Sequence, residues 1–347
     1  MKVLAIGDRF IPGKVMYSGL SELEKYGCEI EVREWEHPSL EELQADNLII
    51  EQQGPEAVRV DENLYKGIEN FDMLIVQFAP IPKKVMDLGE KLKLIGVLRG
   101  GTENIDIKYA EEKNIAVLNT PGRNARAVAE FTLGMILSEV RNISRSHADL
   151  KKCIWRKDFV NRDNIPELYN KNVGIVGFGK IGQLVATYLK AFGSNISVYD
   201  PYFQGEFEGV TFVDLEKLMK ESDIVTVHAR LTKDTHHMID KKMIDLMKDT
   251  SYLVNTARSG LVDEKALIEA LKEKKIAGAA LDVFDKEPLE ESDEILKLDN
   301  ITITSHMAGS TKDAFTNSPK IMCDNVINLI EGKGKAPIIN NVSVKLK

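Results

Sequence analysis

The feature that most constrains this chain is Gly177-Phe178-Gly179-Lys180-Ile181-Gly182, a G-x-G-x-x-G that directly follows the apolar run Val173–Val176. A strand, a tight turn and a helix are implied. The first glycine permits the turn, the second lets backbone approach a pyrophosphate, and the third lets helix and strand pack closely. The helix N-terminus then faces the phosphate charge. The helix should close at Gly193, and the next strand ends in Asp200, eighteen positions after Gly182. That is near the spacing of an acid that binds a ribose hydroxyl. A carboxylate there repels a 2′-phosphate, and Pro201-Tyr202 follow without an arginine, so NAD is the expected cofactor rather than NADP.

Around this unit, the stretch from Asn172 to about Gly309 alternates strands and helices. Candidate strands are Val173–Val176, Ile196–Tyr199, Ile224–Val227, Tyr252–Asn255, Gly278–Leu281 and Ile301–Thr304, with helices beginning near Ile181, Asp214, Lys241 and Asp263. Six strands with intervening helices match a complete doubly wound nucleotide domain. A first alternating series runs from Val3 to about Thr120. Its strands are Val3–Ile6, Met73–Phe78, Leu94–Leu98 and Ala116–Leu118, and its helices lie near Ser18–Tyr26, Pro82–Lys91 and Ile107–Lys113. This again implies a parallel sheet covered on both faces. Trp35–Asp61 reads as an acidic insertion with a helix at Ser39–Gln44 and an edge strand. Ala125–Ile143 is apolar around nearly its whole circumference, hence a buried helix, which the polar run Arg141–Asp149 continues. Trp155 sits among charges, as on an extended arm. Lys312–Glu331 reads as one amphipathic helix and Ile338–Val342 as a last extended piece.

The formal charge of −8 over 347 residues excludes nucleic acid as the main partner, because phosphate backbones need concentrated Lys and Arg. Three scattered cysteines, no ligand spacing, a first strand in place of a signal segment and no membrane-length apolar run point to a soluble cytoplasmic protein without a metal site. His236 and His237 are adjacent and expected to point apart. No further regulatory domain is expected after Lys347.

Three downstream positions carry candidate chemistry. Arg258 follows Val254-Asn255-Thr256-Ala257, Glu287 lies in Phe284-Asp285-Lys286-Glu287-Pro288, and His306 follows Ile301–Ser305. Each is at or after the carboxyl end of a strand, where open α/β sheets bind ligands. Hydride transfer to a 2-keto acid needs a cation for the carboxylate, which the planar fork of Arg258 suits. It also needs a proton donor at the carbonyl oxygen, which His306 suits. A carboxylate such as Glu287 would orient the imidazole.

The stretches GFGKIG…YDP, LVNTARSGLVDEKAL, AALDVFDKEP and TSHMAGST, with RGGTENID and VLNTPGRNARAVAEFTLGMIL upstream, resemble the D-isomer-specific 2-hydroxyacid dehydrogenase family in the family's own order. The resemblance implies a catalytic Arg258–Glu287–His306 set. It implies NAD held by Gly177, Phe178, Gly179, Lys180, Ile181, Gly182, Asp200, Thr256, Ala257, Arg258, Asp282 and His306, with Asp282 on the nicotinamide carboxamide. Substrate would be held by Gly100 and Gly101 backbone, Arg99 and Arg258. The implied fold has two doubly wound parallel-sheet domains. A Rossmann NAD-binding domain (123–309), including a dimerisation helix at 125–150, is inserted into a discontinuous flavodoxin-like substrate domain (1–122 and 310–347), with the cleft between them. A homodimer acting on a small 2-hydroxy or 2-keto acid follows. Arg99 is similar to its counterpart in the phosphoglycerate dehydrogenase-like branch, and Arg99, Arg123 and Arg126 would suit a phosphate or second carboxylate; pairing with Glu103 and Glu130 is the alternative. Arg230 departs from a His-x-Pro-Leu-Thr-like turn. Two other functions stay open: phosphite oxidation on the same scaffold, and an NAD-sensing corepressor-like interaction protein. Glu287 argues against formate dehydrogenases, which typically carry glutamine there.

Overall fold

The computed structural model describes residues 1–333 and 337–346. It divides into two compact units, one of residues 1–123 and 311–347, the other of residues 124–310.

In the first unit, β1 (Lys2–Gly7), β2 (Glu29–Glu34), β3 (Met73–Val76), β4 (Leu94–Val97) and β5 (Ala116–Asn119) form a sheet in the order β2-β1-β3-β4-β5. Every pairing is parallel. Four of these strands are near-continuous apolar runs because helices cover both faces. The fifth is β2, whose sequence Glu-Ile-Glu-Val-Arg-Glu alternates and whose residues are exposed or only partly buried. It is the edge strand, placed just before the Trp35–Asp61 stretch rather than inside it. That stretch instead carries a helix of fourteen residues, Leu40–Gln53, longer than Ser39–Gln44 because its apolar face (Leu43, Ile50) continues. The Ser39 hydroxyl accepts from the Glu42 amide and starts it.

The carboxy-terminal segment differs from the single helix expected. It breaks at Asn317 into Lys312–Thr316 and Ser318–Glu331, since Pro319 has no N–H to continue the ladder. Ile338 then bridges Leu118 antiparallel, and the Ile339 amide donates to the Val117 carbonyl at 2.9 Å.

The second unit holds β6 (Asn172–Val176), β7 (Asn195–Tyr199), β8 (Val210–Phe212), β9 (Ile224–Val227), β10 (Tyr252–Asn255), β11 (Gly278–Leu281) and β12 (Ile301–Ile303). They form a seven-stranded sheet ordered β12-β11-β10-β9-β6-β7-β8, parallel throughout. The strand absent from the sequence reading is β8, a three-residue edge piece with little burial to mark it. Asp214, Asp240 and Asp263 cap the helices that follow them, each accepting an amide three residues on.

The long helix Ala125–Val140 does not run on through Asp149. Asn142 takes φ +55°, and a second helix starts at Ile143. This left-handed corner is held by a buried polar network. The Arg145 guanidinium meets the Glu139 carboxylate at 2.5 Å and donates to Asn142 Oδ1 at 2.8 Å. Glu139 also accepts from the Thr302 hydroxyl at 2.7 Å. Asn142 donates to Asn161, which donates to the Tyr252 hydroxyl. Burial raises the Glu139 carboxyl above its ordinary value, against the opposing pull of Arg145. Beyond the corner, Ile143, Leu150, Ile154 and Trp155 are exposed, Trp155 at 78%. Among the described residues no helix is long and apolar enough to cross a membrane.

Removing one partner of a buried ion pair strands the other. Arg145→Met is therefore expected to lower unfolding free energy by about 3 kcal/mol, read by urea denaturation, with the loss shrinking at acid pH as Glu139 takes a proton. An unchanged midpoint would show that the corner stands without the pair.

Candidate active site

The glycine loop joins β6 to the helix Lys180–Ala191. Gly177 has φ +92°, and a Cβ there would lie 2.4 Å from the Ala229 amide nitrogen. A Cβ on Gly182 would lie 2.3 Å from the Gly177 carbonyl oxygen. Both glycines are thus demanded by backbone. Gly179 differs: a Cβ there meets nothing within 4 Å. The open side above Gly179, with the start of a twelve-residue helix beside it, fits a pyrophosphate. Asp200, directly after β7, accepts the Phe178 amide on Oδ2 at 2.6 Å and the Tyr202 and Phe203 amides on Oδ1 at 2.9 and 3.1 Å. A carboxylate offers about four acceptor positions, so one remains for a ribose hydroxyl.

The three reacting candidates come from adjacent strands. In the register, Asn255, Leu281 and Ile303 lie side by side on β10, β11 and β12. Arg258, Glu287 and His306 leave the sheet just past that row. His306 Nδ1 meets Glu287 Oε2 at 2.8 Å, and Glu287 Oε1 accepts the Phe284 amide at 2.9 Å. The carboxylate is therefore oriented from behind by its own loop. The Asp285 amide in turn donates to Glu264, whose carboxyl burial raises above the usual range. His306 itself takes φ +51°, an uncommon backbone for a residue with a Cβ. Arg258 is exposed, and one of its guanidinium nitrogens donates to the Ala257 carbonyl at 2.7 Å.

Sequence reading missed Asn255 and Thr132, which help to set these groups in place, and it gave Asp282 a role toward the cofactor rather than this structural one. Asn255 accepts from the Ala257 amide and donates to the Arg258 carbonyl, which clamps the arginine's turn. Thr132 hydrogen-bonds Thr256 at 2.7 Å. Asp282 is fully buried and accepts from the Thr304 hydroxyl (2.6 Å) and the Met307 and Ala308 amides (3.0 and 2.8 Å). It pins the loop that carries His306, and one acceptor position is left over. The asparagine in Val-Asn-Thr-Ala-Arg, directly before a turn, was the available signal for Asn255.

Among the other histidines, His236 and His237 do not point apart. Their rings stack with centroids 3.9 Å apart, because they lie in a turn with His237 at φ +51° rather than in a helix or strand. His228 is partly buried with its imidazole turned inward, which depresses its pKa to about 3, and its Nε2 lies 3.0 Å from the Thr226 hydroxyl. Among the described residues no group of three or more His, Cys, Asp or Glu could hold a metal ion.

In the first unit, Arg99 is stacked 3.9 Å over Phe78 and paired with Glu51 at 2.6 Å and Glu103 at 3.3 Å. Gly100, next to it, accepts from Asn119 through its carbonyl, and a Cβ on Gly101 would strike the Glu103 carboxylate at 2.4 Å. Arg123 donates to Ser318 and lies over Phe315. Burial, with Arg99 nearby, brings its pKa down to about 10. Asp8 is buried, with one oxygen accepting the Phe10 and Ile11 amides, and burial pushes it up to about 6. Arg126 belongs to the second unit and is exposed.

A parallel seven-stranded sheet with this glycine loop and this strand-end row defines a dinucleotide-binding dehydrogenase fold. Residues 133–308 match the family model "D-isomer specific 2-hydroxyacid dehydrogenase, NAD binding domain". The chain is 41% identical to a D-3-phosphoglycerate dehydrogenase of Methanocaldococcus jannaschii over 80% of its own length and 53% of the relative's. It is 42% identical to a hydroxypyruvate reductase of Thermotoga maritima over 73% of this chain and 83% of that one. The NAD-complexed D-isomer-specific 2-hydroxyacid dehydrogenase of Lactobacillus delbrueckii ssp. bulgaricus superposes with a TM-score of 0.76 at 26% identity, covering 98% of this chain and all of that one. The chain belongs to the D-isomer-specific 2-hydroxyacid dehydrogenase family, and its cofactor is NAD. It spans about half the length of the phosphoglycerate dehydrogenases it matches.

The glycines separate fold from binding. Gly177→Ala should destabilise the second unit, because its Cβ collides with backbone at positive φ. Gly179→Ala should leave the melting temperature near the parent's while weakening NADH binding about tenfold or more, an expectation from crowding the phosphate; calorimetry and thermal melts distinguish the two. Asp8 supplies a pH prediction. Its folded pKa is raised, so its contribution to stability is full below about 4 and lost as pH rises through about 6. Asp8→Asn should therefore gain stability relative to the parent between those values, by up to about 3 kcal/mol, in denaturant titrations at several pH values.

Proposed function

We propose that the chain interconverts a small D-2-hydroxy acid and its 2-keto acid with NAD. The observation that carries this reading is the His306–Glu287 hydrogen bond of 2.8 Å at the carboxyl edge of the sheet, with Arg258 leaving the neighbouring strand end. Bound NAD supplies the hydride acceptor, and NADH the donor. Glu287 holds the Nδ1 proton of His306, which leaves Nε2 as the working nitrogen. In the oxidising direction Nε2 takes the hydroxyl proton as the carbinol carbon loses its hydride; in reduction it returns a proton to the carbonyl oxygen. Arg258 binds the carboxylate and favours the polarised carbonyl. Gly100 and Gly101 are the first unit's candidates for the carboxylate, through backbone amides.

The pairing of Arg99 with Glu51 and Glu103 favours a small uncharged substrate tail over a phosphate. Its guanidinium is already neutralised twice over, which leaves Arg123 as the better cation of the two. The exposed apolar side chains of Ile143, Leu150, Ile154 and Trp155, near one another in sequence, support a homodimer, since exposed apolar surface favours association.

His306→Ala should lower kcat for glyoxylate or hydroxypyruvate reduction by about 10²–10⁴-fold while NADH still binds in a calorimeter. Glu287→Gln should lose less. Turnover in His306→Ala equal to the parent's would remove the role assigned to His306.

A further inference from the structure

The segment between β7 and β8 carries an aromatic cluster that the chemistry above does not use. Phe178, inside the glycine loop, is 1% exposed. Three rings meet it nearly edge-on: Phe203 at 5.0 Å, Phe207 at 5.1 Å and Phe212 at 5.5 Å between centroids. Phe203 and Phe212 also stack on each other at 5.1 Å, tilted by 8°. Edge-on and offset stacked arrangements at these separations are the favourable ones for aromatic pairs.

The same residues hold Asp200. Its Oδ2 accepts from the Phe178 amide and its Oδ1 from the Tyr202 and Phe203 amides. Two of the three amides that fix the carboxylate thus belong to residues whose rings touch. The intervening segment contains Gly205 at φ +130° and Gly209 at φ +72°, and glycine backbones lose much freedom on ordering. Ring contacts supply that order, helped by the Lys190 ammonium, which donates to the Glu208 carbonyl. Residues 201–209 include Glu206 and Glu208 and no lysine or arginine.

We propose that the Phe178–Phe203–Phe207–Phe212 cluster determines the preference for NAD over NADP by holding Asp200 and the acidic segment rigidly where a 2′-phosphate would have to lie. The proposal rests on Asp200 being the ribose-binding acid. Repulsion discriminates only if the repelling charge cannot move aside. A loosened carboxylate both loses its bond to the 2′-hydroxyl and stops excluding the phosphate. The phenylalanines are positioning residues, acting through the amides around Asp200.

The test measures dissociation constants for NADH and NADPH by calorimetry in the parent, Phe203→Ala, Phe212→Ala and Asp200→Ser. Phe212, at an edge strand and 38% exposed, keeps the test available if Phe203→Ala fails to fold. Loss of the ring contacts should weaken NADH about tenfold in Phe203→Ala, and less in Phe212→Ala, without weakening NADPH. The ratio of the two constants then falls by a similar factor. A purely structural role would weaken both cofactors alike and leave the ratio unmoved. An unmoved ratio in both phenylalanine variants, with a collapsed ratio in Asp200→Ser, overturns the cluster's role. An unmoved ratio in Asp200→Ser as well means that the reading of Asp200 itself fails, and the proposal with it.

Discussion

Burying a carboxylate costs several kcal/mol unless hydrogen bonds compensate it, and Asp282 is fully buried with three of them. Its partners are the end of β12 and the loop just beyond, the segment that contains His306. Its own amide donates to the Asn255 carbonyl on β10. Asp282 therefore ties three adjacent strand ends together at the point where Arg258, Glu287 and His306 leave the sheet. The His306–Glu287 contact depends on that frame, because two partly exposed side chains on separate loops hold a fixed distance only if the loops do. Asn255 repeats the device one strand over, with both ends of its side-chain amide spent on the turn that carries Arg258.

Much of the fold was legible because parallel strands covered on both faces read as apolar runs. Ten of the twelve strands announced themselves that way. The exceptions, β2 and β8, are sheet edges, where half the residues face water and the run dissolves into alternation or into exposed residues. Helix ends were harder. Arg141-Asn142 looks like continuing helix until the Glu139–Arg145 pair is known, and that pair links residues six apart across a corner that propensity does not show. Position at the ends of neighbouring parallel strands proposed Arg258, Glu287 and His306 one by one, and the family resemblance joined them into a set. Position gave no hint of Glu264 or Thr132, whose partners are 21 and 124 positions away.

The first unit shows how a charge can mislead when read without its neighbours. Arg99 beside two glycines suggests an anion site, yet Glu51 arrives from the helix Leu40–Gln53, 48 positions earlier, to neutralise it. Arg123 is less conspicuous in the sequence and stands in a different setting, over Phe315 and near the buried Asp8. Residue type suggested three equivalent cations; environment makes them unequal.

His306 sits at φ +51°, a backbone region that suits glycine or asparagine better than histidine. The position therefore sets folding against the chemistry proposed for it. Substitutions that relax the backbone would be welcomed by the fold and would delete the imidazole. Under the role proposed for His306, a search for hardier variants scored only on heat resistance would be drawn toward that position and would select against turnover as it succeeds.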